Sequence, residues 1–175
     1  MTRDSGELDD AALLYGLAAA AASTPTPPGV GQRTRLIESA GRVGRFGRFA
    51  DRFARLFDLP VARAEELLRR IEDPAVFVPF LTPGVSMFPV TPGPAYAGAV
   101  GAIGLLTPGT VFPHHAHVGD EVTLVLDGGF RDQDGREIWR GEELYKPAGS
   151  DHEFVVIGEC PCVAAVLALG GVTFR

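Results

Sequence analysis

Three of the four histidines in this 175-residue chain stand within four positions of one another, at His114, His115 and His117, and Glu121 follows four residues later. On an extended strand, side chains two residues apart share a face. His115 and His117 therefore project together, and His114 projects the other way. Glu121 opens the apolar run 122–126, which reads as the next strand, reached through the short connection Val118, Gly119, Asp120. Two imidazoles and a carboxylate on neighbouring strands make a site for a divalent transition metal. The alternative is to bury several polar groups unpaired, at high cost.

A fourth donor lies downstream. Pro147 and Gly149 mark a turn just ahead of His152, the one remaining histidine, and the run 154–157 follows as a strand. From Val76 onward, short β-rich runs alternate with Pro/Gly clusters at Pro83 and Gly84, at Pro92 to Pro94, and at Pro108 and Gly109. That texture is the mark of a β-barrel or sandwich. Asp134 followed by Gly135 marks a hairpin turn.

The first 73 residues read differently. Residues 8–22 are rich in alanine and leucine, with Asp9 and Asp10 near the start, which suits a helix. Pro25, Pro27 and Pro28 then form a stiff linker. Over 32–57 a second helical pattern places Val43, Phe46, Phe49, Ala50, Phe53, Leu56 and Phe57 on one face. Arg45, Arg48, Arg52 and Arg55 lie on a neighbouring face. Gly41, Gly44 and Gly47 weaken the first half of that helix by about 1 kcal/mol each relative to alanine. A third helix is expected over 60–72, closed by Asp73 and Pro74. The expected division is thus a helical region, 1–73, and a β region, 74–175.

Composition narrows the function. A net charge of −6 argues against a general nucleic-acid binder, although residues 33–70 carry ten arginines against five acidic groups. That stripe suits a solvated helix face or a protein-docking face. Two cysteines, Cys160 and Cys162, make no disulfide framework and suit a reducing cytoplasm. The Ala-rich run at 11–22 has the length of a signal-peptide core, but four acidic residues precede it, so no signal peptide is expected. It is also too short to span a bilayer.

The histidine block carries a family pattern. Gly109, His115, His117, Glu121 and Gly128 match the first cupin motif at every spacing, and Gly141, Pro147, Gly149 and His152 match the second. Val156 stands where the second motif has asparagine, a position that is not a ligand. The chain therefore resembles the cupin superfamily, which implies a mainly β fold: a cupin-type barrel (jelly roll) preceded here by the helical region. Pro113 to Glu121, with Gly128, Phe130, Asp132 and Gly135, is similar to the C-terminal cupin of ChrR-type anti-sigma factors. That resemblance implies zinc held by His115, His117, Glu121 and His152. It also implies a helical region that grips a sigma factor and a cupin that gates release under chemical stress. The family's helical domain has its own His/Cys zinc motif, whereas here no histidine or cysteine precedes His114.

Two function classes follow. One is a metal-bound regulatory or sensing cupin whose helices contact a protein partner, a sigma factor or a second subunit of a homodimer. The other is a small metal-dependent enzyme, a dioxygenase or isomerase, acting on a small molecule at the metal. Zinc is the expected ion, and iron, manganese or nickel also suit the donors. Strand alternation puts Thr123 and Phe154 beside the metal as pocket residues. His114 is expected outside the ligand set, and Cys160 and Cys162 are expected to be ordinary strand cysteines sharing one face. Trp139 and Tyr145 suit either a pocket wall or plain packing.

Overall fold

The computed structural model describes residues 44–174 and Gly29. The helix expected over 8–22 and the first part of the one expected over 32–57 lie outside the described residues. The chain divides into Met1–Ser39 and Ala40–Arg175, and every element below belongs to the second unit.

Within the described part of 32–57, α-helix begins late. Gly44 sits at φ +70°, a 3₁₀ turn spans Gly47–Phe49, and α1 runs only over Ala50–Phe57. Gly44 and Gly47, two of the glycines that weaken helix propensity, thus lie where the chain turns instead. Asp58 ends α1 in the left-handed region, and its carboxylate accepts from the backbone N–H of Ala95 at 2.8 Å. Pro60 then leads into α2, Val61–Arg70.

Eleven strands follow among the described residues, in two antiparallel sheets. The first sheet is ordered β1 (Val78–Pro79), β2 (Val85–Val90), β3 (Val100–Leu106), β10 (Cys162–Ala168), β5 (Glu121–Asp127) and β8 (Glu143–Lys146). The second is ordered β11 (Val172–Phe174), β4 (Val111–His117), β9 (Asp151–Ile157), β6 (Gly129–Asp132) and β7 (Glu137–Trp139). The two sheets face each other without closing into a true barrel.

The first sheet is covered on both sides. Ile103, Leu124, Leu126, Val163, Ala165 and Leu167 join Phe46, Phe49, Phe53 and Phe57 and the α2 leucines in one buried cluster. Alternate residues of the same strands, Val125, Cys162 and Ala164, join Phe112, Phe130 and Val156 of the second sheet in another. A strand buried on both faces loses its polar alternation, which is why β10 reads Cys-Val-Ala-Ala-Val-Leu-Ala.

One irregularity sets the site. Along β4 and β9, Phe112 pairs with Phe154 and His115 with His152, so β4 carries one extra residue across that interval. Pro113 lies in it. Proline has no N–H to give a ladder, and a bulge is where a strand tolerates it. The bulge lets Phe112 and His115, three positions apart, both turn inward, while His117 follows at the ordinary spacing.

Candidate metal centre

His115 and His117 sit at the end of β4, His152 near the start of β9, and Glu121 is the first residue of β5. All four side chains are buried, and each offers a ligand atom within 4.8 Å of those of the others. Three donors come from the second sheet and the carboxylate from the first. The turn that allows this is cramped. A Cβ on Gly119 would lie 2.0 Å from the carbonyl oxygen of Leu169, so only glycine fits between His117 and Glu121 here.

Each imidazole is held through its Nδ1. His115 Nδ1 donates to the Pro113 carbonyl at 2.9 Å, the carbonyl of a bulge residue. His117 Nδ1 donates to Ser150, whose carbonyl and hydroxyl oxygens lie 3.1 and 3.0 Å away. The Ser150 hydroxyl in turn donates to the Pro147 carbonyl at 2.6 Å. His152 Nδ1 donates to the Asp132 carboxylate, which also accepts from Lys146 Nζ at 2.5 Å. With Nδ1 protonated and engaged, Nε2 keeps its lone pair and turns to the common centre.

The Nε2 atoms of His117 and His152 are buried without a hydrogen-bond partner. A buried nitrogen left unpaired is costly. An ion bonded by these lone pairs removes that cost, so the donor set fits a divalent metal. Electrostatics agree with this. Burial pushes His115 and His152 below the usual histidine range, against the opposing pull of Pro113 and Asp132 respectively. Both are therefore neutral and ready to coordinate at neutral pH. The Glu121 carboxylate, whose oxygen stands 3.6 Å from His117 Nε2, carries His117 above that range against burial. Burial on its own would raise Asp132, but the bonds from Lys146 and His152 outweigh it and hold the carboxyl below its usual range.

An apolar cavity of about 720 Å³ opens against this cluster. Thr123 and Phe154 both line it. The Thr123 hydroxyl donates to Glu121 at 3.4 Å, and the Phe154 ring lies 5.8 Å from that of His152 and stacks on Phe112. The space exists because the inner face of the first sheet carries small side chains, Ala102, Gly104, Ala164 and Ala168 among them. The opposing sheet supplies Phe112, Phe130 and Phe154.

Other residues singled out from the sequence lie apart. His114 is on the outer side, 3.7 Å from Asp151. Trp139 and Tyr145 are exposed and away from the cavity wall. The two cysteines do not share a strand face. Cys160 is exposed ahead of β10, while Cys162 is buried in the cavity wall with its thiol pushed up to about 12 by burial. Asp132 and Lys146 were not expected as site residues. The available signal was parity: Asp132 lies two residues after the buried Phe130 on β6, which turns its carboxylate inward.

Two facing antiparallel sheets, with three imidazoles and a carboxylate gathered between them, define a cupin. More narrowly, a family model described as the ChrR cupin-like domain matches residues 70–169, and the chain belongs to that family. Among solved structures, similarity extends to Rhodobacter sphaeroides SigE in complex with the anti-sigma ChrR. That match has 22% identity and a TM-score of 0.54, and covers 89% of this chain and 75% of that one. An acetylacetone dioxygenase from Acinetobacter johnsonii matches at 17% identity with a TM-score of 0.51, covering 58% of this chain and 73% of that one. A putative acetylacetone dioxygenase from Methylibium petroleiphilum matches at 21% identity with a TM-score of 0.50, covering 57% and 74%. These likenesses are likenesses of fold. No functionally curated protein matches the sequence. No helix among the described residues is long and apolar enough to cross a membrane.

Proposed function

We propose that this protein is a metal-loaded regulatory cupin. His115, His117, Glu121 and His152 hold one zinc ion, and the helical region contacts a protein partner of the sigma-factor class. The observation that carries the reading is the buried pair of unpartnered Nε2 atoms inside a family match spanning 70–169. A divalent ion held by these four residues would supply Lewis acidity beside the cavity. Thr123 and Phe154 form the wall beside it, and Ser150, Pro113 and Asp132 keep the imidazoles aimed. The likeness to a fold solved with a sigma factor supports the partner.

The test has two arms. Elemental analysis of protein purified without added metal is expected to find near-stoichiometric zinc, with little in His117→Ala. Capture on immobilised full-length protein is then expected to retain a sigma factor of the extracytoplasmic-function type from the native host. The cavity against the donor cluster supports a second reading, a metal-dependent enzyme acting on a small molecule. Loss of the sigma-factor arm together with iron-dependent oxygen uptake on a small substrate would establish that reading in place of the first. Association through edge strands into a homodimer belongs to the same proposal, and light scattering would detect it.

A further inference from the structure

We infer that the cavity takes an apolar monocarboxylate, bound with its charged end at the metal and its hydrocarbon body against the small-residue face of the first sheet. The inference rests on metal occupancy as proposed above and adds the class of ligand.

The argument starts from charge. A divalent ion held by one carboxylate and three neutral imidazoles keeps one net positive charge. Other charge nearby does not offset it, because Asp132 behind His152 is already matched by Lys146 at 2.5 Å. Among the described residues, the ionisable side chains in the cavity wall are the donors His115, Glu121 and His152, together with Cys162, whose thiol burial keeps protonated. A residual charge facing an apolar space is costly unless something pairs with it. A single anionic oxygen group on the ligand is the complement that leaves the site neutral. A cationic end would meet the same sign.

Shape sets the rest of the molecule. The volume of about 720 Å³ is in the usual range for small-molecule sites, about 300–1,000 Å³. Away from the donors, the wall is formed by Met87, Ala102, Phe130, Ala164 and Val166, with no charged group among them. An apolar body gains by filling that space, whereas acetate would leave it empty. Thr123 already spends its proton on Glu121, so it adds an acceptor oxygen and no counter-charge.

The experiment uses full-length protein loaded with zinc, its stoichiometry measured first, and calorimetric titration at pH 7 with octanoate, octylammonium, octanol and acetate. Octanoate is expected to bind at least about tenfold more tightly than each of the others, and not to bind the zinc-free protein. Ala164→Phe fills the cavity and is expected to weaken octanoate by about tenfold or more with zinc content unchanged. Ala102→Leu is a second filling variant should the first fail to fold. Zinc bound normally while octanoate is no better than octylammonium or octanol would overturn the ligand class and leave the metal reading standing. Failure to load zinc would overturn both.

Discussion

Asp132 links the centre to its surroundings. Fully buried, it accepts from His152 on β9 and from Lys146 on β8, so one carboxylate fixes a donor imidazole and is itself fixed by a cation. Such outer partners commonly cost about 10–100-fold in metal affinity when removed. Asp132→Ala is expected to weaken zinc by that order, read by competition with a chelating dye. The same carboxylate sets an acid dependence. Its folded pKa lies below the unfolded value, so its contribution is fully present above the ordinary carboxylate range. It is lost as pH falls through the lowered folded value. Lys146→Met removes one of the two groups that depress it, so acid unfolding of the metal-free protein should move to higher pH, followed by circular dichroism. The grouping of His115, His117 and Glu121 was legible in the sequence because strand alternation and a short turn fix it locally, whereas His152, which joins through the pairing of β4 with β9, was legible only through the second motif. Asp132 was not, because it meets His152 only through the pairing of β6 with β9, which no local pattern encodes.

At the scale of elements, α1 shows the limits of periodicity. Its phenylalanine stripe was legible as a helix face, and Phe53 and Phe57 are wholly buried, their rings 4.6 Å apart. The start of α1 at Ala50 was not, since the glycines ahead of it can turn as readily as they can wind. Two arginines of the neighbouring stripe are engaged with the first sheet. Arg52 donates to Glu143 at 2.7 Å and to the Gly141 carbonyl at 2.5 Å, and Arg45 pairs with Asp127. Aromatic burial outweighs these partly exposed pairs, which contribute little each. Phe53→Ala is accordingly expected to cost about 3–5 kcal/mol in urea unfolding. In β4 the same lesson appears on a strand. Pro113 announces an interruption, but only the pairing with β9 shows that it is a one-residue bulge that turns both Phe112 and His115 inward.

At the scale of the whole molecule, the donor set bridges two sheets. Glu121 comes from the first and the three histidines from the second, and Lys146 with Asp132 makes a parallel tie between them. An ion held there would cross-link the two sheets. Anything that binds the folded state alone stabilises it, by about 4 kcal/mol when present at a thousand times its dissociation constant. Chelation should therefore lower the melting temperature, and restored zinc should raise it again. In Glu121→Gln, which loses the anionic donor of the first sheet, calorimetry should show that shift much reduced. The general architecture was legible from the Pro/Gly-punctuated runs. The open rather than closed edges were not, because closure depends on how far each sheet extends.

β10 lies in the middle of all this, walled in by helices behind and the ligand space in front. Its two sets of positions can therefore be edited independently. Enlarging Ala165, which faces the helices, should loosen the protection of 50–70 in hydrogen exchange, with a penalty of about 1–3 kcal/mol for overpacking. Enlarging Val166, which faces the cavity, should leave those amides protected. A single seven-residue strand thus offers separate handles on two parts of the molecule: the cavity on one side and the helical layer on the other.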